Sequence, residues 1–179
     1  RQMLRAIGYL HASLIIHCDV KPENFLLLGP PDTEFGNVIK LCDFGTAIRM
    51  KSPDEKLKLP ACTLSYTSPE VYMNRRSGPV ADVWSLGVVL YVLMVGLSPF
   101  RAKSETEAQT KQRICKGQLE ESRAAWVALS REARDFVQSM LVIDPDLRPA
   151  CVEALSDPWL GHHAALEEME DFAHQAPAL

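Results

Sequence analysis

Apolar residues recur at helical spacing at the start of the chain, at Met3, Leu4, Ile7, Leu10 and Leu14. That period places them on one face and predicts a first helix packed on one side. Ile15-Ile16 then lead into a polar loop, His17 to Asn24. Phe25-Leu26-Leu27-Leu28 and Val38-Ile39-Lys40-Leu41-Cys42 are short apolar runs, and the stretch between them holds the turn signal Gly29-Pro30-Pro31-Asp32. Two such runs around a turn predict a small β-hairpin. From Asp43 to Pro69 no periodicity is evident, and the stretch is rich in Lys, Pro, Ser and Thr. A loop this long within a compact domain tends to be functional or disordered.

Past that loop the pattern turns helical. Val83 to Val95 is apolar nearly all round, and Pro99-Phe100 marks its expected end. The run is shorter than the roughly 20 residues of a membrane span, so it predicts a buried core helix. Two amphipathic helices are expected over 104–116 and 130–142, the second with Ser130 as N-cap and Glu132 in its first turn. A last helix is expected over 150–156, with Pro158-Trp159 after it. The stretch from His162 is acidic, with Leu166, Met169 and Phe172 spaced along one face. The expected fold is mainly α with a small β-hairpin, and polar loops flank that hairpin.

The 179 residues suit one domain. At 47% hydrophobic and 23% charged, the chain has ample apolar surface to bury, which excludes a disordered chain. The net charge of −4 argues against a nucleic-acid-binding protein, which is usually basic. The five cysteines, Cys18, Cys42, Cys62, Cys115 and Cys151, are scattered, odd in number and never in a C-x-x-C pair. This fits reduced thiols in a cytoplasmic or nuclear protein, and argues against a disulfide framework or structural zinc. The opening Arg1-Gln2-Met3-Leu4 is already in helical register and carries no signal peptide, so the chain is expected to begin inside a longer protein.

The chemistry concentrates around the hairpin. Asp19-Val20-Lys21-Pro22-Glu23-Asn24 precedes one strand, and Asp43-Phe44-Gly45 follows the other. A hairpin brings such ends together. Asn24 and Asp43 supply hard oxygens of the kind Mg²⁺ takes alongside phosphate. Asp19 is free to orient or deprotonate a hydroxyl, and Lys21 to neutralise charge on a transferred phosphoryl group. Gly45 is expected to allow unusual backbone angles that let Asp43 swing.

Taken together these residues resemble the C-terminal lobe of a eukaryotic protein kinase over nearly the whole chain. His17-Cys18-Asp19-Val20-Lys21-Pro22-Glu23-Asn24 is similar to the catalytic loop, and Asp43-Phe44-Gly45 to the magnesium motif. Ser68-Pro69-Glu70 resembles the end of the activation segment. Asp82 to Gly87 resembles the buried helix that anchors the lobe, and Asp144-Pro145 with Arg148-Pro149 the late helix pair. Pro22 to Leu26, the Pro/Asp-rich turn and Asp157-Pro158-Trp159 are similar to the calcium/calmodulin-dependent and calcium-dependent kinases.

The resemblance implies a protein serine/threonine kinase using ATP and Mg²⁺, with a protein substrate. It implies Asp19 as catalytic base, Lys21 on the γ-phosphate, and Asn24 and Asp43 on Mg²⁺. Leu26 is implied under the adenine, and Glu23 beside the nucleotide or reading a basic residue of the substrate. Thr63 and Tyr66 are implied in substrate docking. His17 and Phe44 are implied to stack, Asp82 to fix their base, and Glu70 and Arg148 to form a buried ion pair. The kinase lobe is expected over 1–160. Residues 161–179 form a tail that either begins a regulatory segment or caps the lobe, with calmodulin or a calcium-binding domain as partner outside the chain.

The sequence also departs from the pattern. Cys18 stands where such kinases usually carry Arg, Cys62 where Gly usually precedes Thr63, and Ser68 where Ala is usual. Between Gly45 and Cys62 the only hydroxyls are Thr46 and Ser52, which predicts that loop phosphorylation is not the switch. No Gly-x-Gly-x-x-Gly loop, strand Lys or partner Glu helix is present, so the 179 residues alone are expected to be inactive. The alternative function is a pseudokinase acting as scaffold or allosteric partner. A hydrolase using Asp19 and Asp43 leaves Lys21 and Asn24 unexplained.

Overall fold

The structure is a computed structural model that describes residues 1–30, 33, 36–101 and 105–161. The expected amphipathic face of Leu166, Met169 and Phe172 lies outside the described residues, as do Pro31 and Asp32 of the hairpin turn.

Helix α1 spans Gln2–Ala12 and buries Leu4, Ile7 and Leu10, the spacing read from the sequence. The long apolar run forms α3, Val80–Val95, with Ala81 to Val89 and Tyr91 buried. Its apolar surface is spent on two clusters. Val83, Leu86 and Val89 pack with Leu4, Ile7, Phe136 and Met140, while Trp84, Val88 and Tyr91 pack with Phe100, Ile114, Trp126 and Val137. Helix α3 therefore ends not at Pro99-Phe100 but at Gly96, whose φ of 80° gives the left-handed C-cap that glycine adopts without strain. Phe100 instead stacks on Trp84, centroids 5.3 Å apart.

Helices α4 (Glu107–Lys116), α6 (Arg131–Met140) and α7 (Cys151–Leu155) follow the expected places. The Thr106 hydroxyl accepts from the Gln109 amide while Gln109 reaches back to Thr106, a capping box. Ser130 caps α6 by accepting from the Ala133 amide at 3.2 Å. Three four-residue helices were not legible: α2 (Pro69–Tyr72), α5 (Ala124–Val127) and α8 (Pro158–Gly161). One turn of helix gives no periodic signal, so only packing defines it.

The β structure corrects the sequence reading. Strands β2 (Phe25–Leu27) and β3 (Ile39–Leu41) form the expected antiparallel hairpin. A second pair exists as well: β1 (Ile15–Ile16) runs antiparallel to β4 (Ile48–Arg49). Among the described residues the fold is thus mainly helical with two two-stranded sheets rather than one hairpin. Two-residue strands carry no alternation to detect. The Asp43–Pro69 stretch is accordingly not one structureless loop: it contains β4 and a 3-10 turn, Leu64–Tyr66.

Candidate active site

The two sheets hold the polar loops against each other. The Cys42 amide donates to the Asn24 carbonyl at 2.9 Å, continuing the β2–β3 ladder to its polar end. Asp43 follows directly, and the loop of Asp19 to Asn24 lies between β1 and β2. Asp43 itself carries the left-handed angle, φ 60°, and Gly45 does not. This corrects the expectation for Gly45. Aspartate tolerates such angles better than most residues because its carboxylate can bond locally. Here the Gly45 amide donates to Asp43 Oδ1 at 3.3 Å.

Asp19 is the centre of the cluster. Lys21 Nζ donates to its Oδ2 at 2.5 Å, and the Thr63 hydroxyl donates to its Oδ1 at 2.7 Å. Lys21 Nζ also reaches the Thr63 hydroxyl at 3.4 Å. Burial alone raises the Asp19 pKa, but the bonds from Lys21 and Thr63 outweigh it and hold the carboxyl below its ordinary range. The same bond to Asp19 raises the Lys21 pKa. At neutral pH the site therefore contains a carboxylate and an ammonium. Asn24 donates its amide nitrogen to the Asp19 carbonyl at 2.8 Å, which leaves its side-chain oxygen as an acceptor.

The loop is braced from below. Asp82 on α3 is buried and accepts from the His17 amide at 2.8 Å, the Cys18 amide at 2.9 Å and His11 Nε2 at 2.9 Å. Cys18 has φ 68°, so this bracing holds an angle that a residue with a β-carbon disfavours. His17 is fully buried. Its Nδ1 accepts from the Asp19 amide, so its Nε2 carries the hydrogen and donates to the Cys42 carbonyl at 3.1 Å. Its ring lies 5.3 Å from that of Phe44. One histidine thus ties the Asp19 loop to the end of β3.

Farther out, Glu70 on α2 and Arg148 meet as a buried pair. Arg148 Nη1 and Nη2 donate to Glu70 Oε1 and Oε2 at 2.8 and 2.7 Å. The other three guanidinium hydrogens go to the carbonyls of Val142, Ile143 and Val80. Ser68 and Ser77 hydroxyls also donate to Glu70 Oε1. Burial raises the Glu70 pKa, but Arg148 outweighs burial and lowers it.

The predicted residues therefore gather into one cluster, Asp19, Lys21, Asn24, Thr63, His17, Phe44 and Asp82, with Asp43 beside Asn24 through the Cys42 bond. Leu26 is exposed, together with Leu27, Leu28 and Phe44. Tyr66 is half-buried; burial raises its phenol, and the charge of Glu23 adds to that. Its carbonyl accepts from Ser85 at 2.8 Å. Sequence reasoning missed Thr46, whose hydroxyl donates to the His17 carbonyl at 3.2 Å, and His11 beneath Asp82. Thr46 had a signal, its place directly after Gly45. His11 had none, because its partner is 71 residues away.

Residues 1–160 match the protein kinase domain family. Calcium/calmodulin-dependent protein kinase cmkA of Emericella nidulans is 39% identical over 165 residues, covering 92% of this chain and 39% of that protein. Calcium/calmodulin-dependent protein kinase type 1 of Macrobrachium nipponense is 36% identical over 169 residues, 94% of this chain and 47% of that one. Calcium-dependent protein kinase 9 of Oryza sativa subsp. japonica is 38% identical over 165 residues, 92% and 27% respectively. The chain spans less than half the length of these relatives. The chain belongs to the protein kinase domain family, whose match takes in the Asp19 loop, the Asp43 turn, Glu70 and Arg148.

Proposed function

We propose that the protein is a serine/threonine kinase that transfers the γ-phosphoryl group of ATP to a protein hydroxyl. The observation that carries this reading is the Asp19 carboxylate, held ionised by Lys21 while it accepts an aliphatic hydroxyl at 2.7 Å. A substrate serine or threonine needs the same contact to lose its proton as its oxygen attacks phosphorus. In this reading Lys21 offsets charge developing on the transferred group.

The side-chain oxygens of Asn24 and Asp43 fit Mg²⁺, which takes one or two protein oxygens and completes its shell with phosphate and water. When bound, the ion would neutralise phosphate charge. Glu23 is assigned to a basic residue of the substrate, Leu26 to the adenine, and Thr63 with Tyr66 to substrate docking.

In this reading residues 1–160 form the C-terminal lobe. The exposed Leu26, Leu27, Leu28 and Phe44 are the surface that a nucleotide-binding lobe covers. The names of the relatives support regulation by calmodulin or a calcium-binding domain. The test is ³²P transfer from ATP·Mg²⁺ to serine and threonine peptides by the full-length protein, with Asp19→Asn as control. Transfer is expected from the wild type and is lost in the variant; equal transfer by both sinks the assignment of Asp19. The 179 residues alone are expected to transfer none.

A further inference from the structure

Between β4 and Thr63 the side chains of Lys56-Leu57-Lys58-Leu59 alternate. Leu57 and Leu59 are half-buried, while Lys56 and Lys58 are exposed. Leu57 and Ser77 exchange backbone hydrogen bonds of 2.7 and 2.8 Å, an isolated antiparallel bridge. That register makes Lys58 and Arg76 the next opposed pair, with their side chains on one face. Lys56 joins them, since Arg76 Nη1 donates to its carbonyl at 3.5 Å. Arg75 and Arg76 are both exposed. Four cations, Lys56, Lys58, Arg75 and Arg76, therefore stand around one bridge in a chain whose net charge is −4.

Like charges opposite each other on neighbouring strands destabilise the pairing. Little on the protein offsets this. Glu55 is turned back onto the Lys51 amide. Asp146 takes only Lys56, at 3.5 Å and exposed at both ends. Among the described residues no acid forms an ion pair with Lys58, Arg75 or Arg76. The Leu57 amide and carbonyl are both used by Ser77, so those of Lys58 face the other way, and no described residue bonds them. The segment thus offers positive side chains and an open backbone edge together. An extended acidic peptide meets both demands, whereas a free anion meets only the charge. The patch is also continuous with the catalytic cluster. Pro60, two residues after Lys58, lies beside Cys18, and the Thr63 hydroxyl donates to Asp19 at 2.7 Å.

We propose that Lys56, Lys58, Arg75 and Arg76 form a docking patch for an acidic stretch of the protein substrate that flanks the target hydroxyl, with Lys58 and Arg76 at its centre. The inference rests on the kinase reading above and adds the chemical class of substrate. Such a patch acts through binding, so it is read in KM. Full-length protein is assayed with ATP·Mg²⁺ on serine peptides carrying three Glu before or after the serine, and on the matching Gln peptides. Wild type is expected to show a KM about tenfold lower for a Glu peptide than for its Gln partner, the sum of a few exposed ion pairs. That preference should fade as salt rises. Lys58→Glu with Arg76→Glu, both at exposed positions, should abolish or reverse it, while Arg131→Gln, an exposed cation on α6, should keep it. Fluorescence anisotropy of the labelled Glu peptide without ATP should show the same loss of binding in the double variant. Equal KM for Glu and Gln peptides in both placements, or a preference that the double variant leaves intact, overturns the patch. Tighter binding of a single-stranded oligonucleotide or of anionic vesicles than of the Glu peptide, lost in the same variant, also overturns it. A preference that emerges only once Glu167, Glu168, Glu170 and Asp171 are neutralised makes the chain's own acidic stretch the occupant, and the substrate assignment falls. If no peptide is phosphorylated, the kinase reading falls, and the anisotropy result still decides the patch.

Discussion

Two carboxylate–cation pairs in this molecule use the same chemistry for opposite ends. Arg148 and Glu70 are 0% and 2% exposed, and every guanidinium hydrogen has a protein acceptor. Lys21 and Asp19 are 21% and 11% exposed, and the ammonium gives two of its three hydrogens to Asp19 and Thr63, leaving one to spare. The first pair is complete, so its value lies in fixing α2 against the Val142–Arg148 turn. The second is incomplete, so it can exchange partners with an incoming group. Both carboxyls sit below their ordinary pKa because a cation outweighs burial. Spare hydrogen-bonding capacity, not the ion pair itself, sets the Asp19 pair apart from the Glu70 pair.

Removing the charge of one member of each pair has the largest expected effects. Asp19→Asn is expected to lower kcat of the full-length protein by about 10²–10⁴-fold, the contribution of a general base, with its melting temperature unmoved. Arg148→Met leaves Glu70 buried without a cation, held only by the Ser68 and Ser77 hydroxyls, and should cost about 3–5 kcal/mol by denaturant titration. The double variant Arg148→Met, Glu70→Leu should recover much of that, because no buried charge is left alone.

A smaller effect tests the core that carries both pairs. A β-carbon at Gly87 would come within 2.9 Å of Met140 Cβ and Leu141 Cδ2. Gly87→Ala should therefore destabilise by about 1–3 kcal/mol through overpacking of α3 against α6, read by thermal unfolding.

The mildest test is pH. The folded pKa of Glu70 is depressed, so its stabilisation is present above its ordinary value of about 4.3 and is lost as pH falls through the folded value. Glu70→Gln should flatten acid unfolding in that window, compared against wild type by circular dichroism. For Asp19 the same sign places the acid limb of kcat/KM below the ordinary carboxylate range. Lys21→Met should move that limb to higher pH; an unmoved limb would show that Lys21 does not set the charge of Asp19.

Much of the site was legible because its residues stand close together in the chain. Asp19, Lys21 and Asn24 share one loop, and two apolar runs announced the hairpin that carries Asp43 to its other side. The bidentate Glu70–Arg148 contact was legible only through the family resemblance, since 78 residues separate the partners. The second sheet was missed because two-residue strands have no period, and the strained angle was misplaced onto Gly45 because glycine is its commonest bearer.

The amino-acid pattern by itself determined the helical body and the hairpin, since each follows from neighbours along the chain and from apolar periodicity, while the roles of the site residues came from the family resemblance. Only the tertiary structure decided that Thr63 closes on Asp19, that Thr46 reaches His17 and that His11 stands under Asp82. Those bonds join residues 29 to 71 positions apart. Their free energy exists only after the core has packed and brought the partners within hydrogen-bond reach.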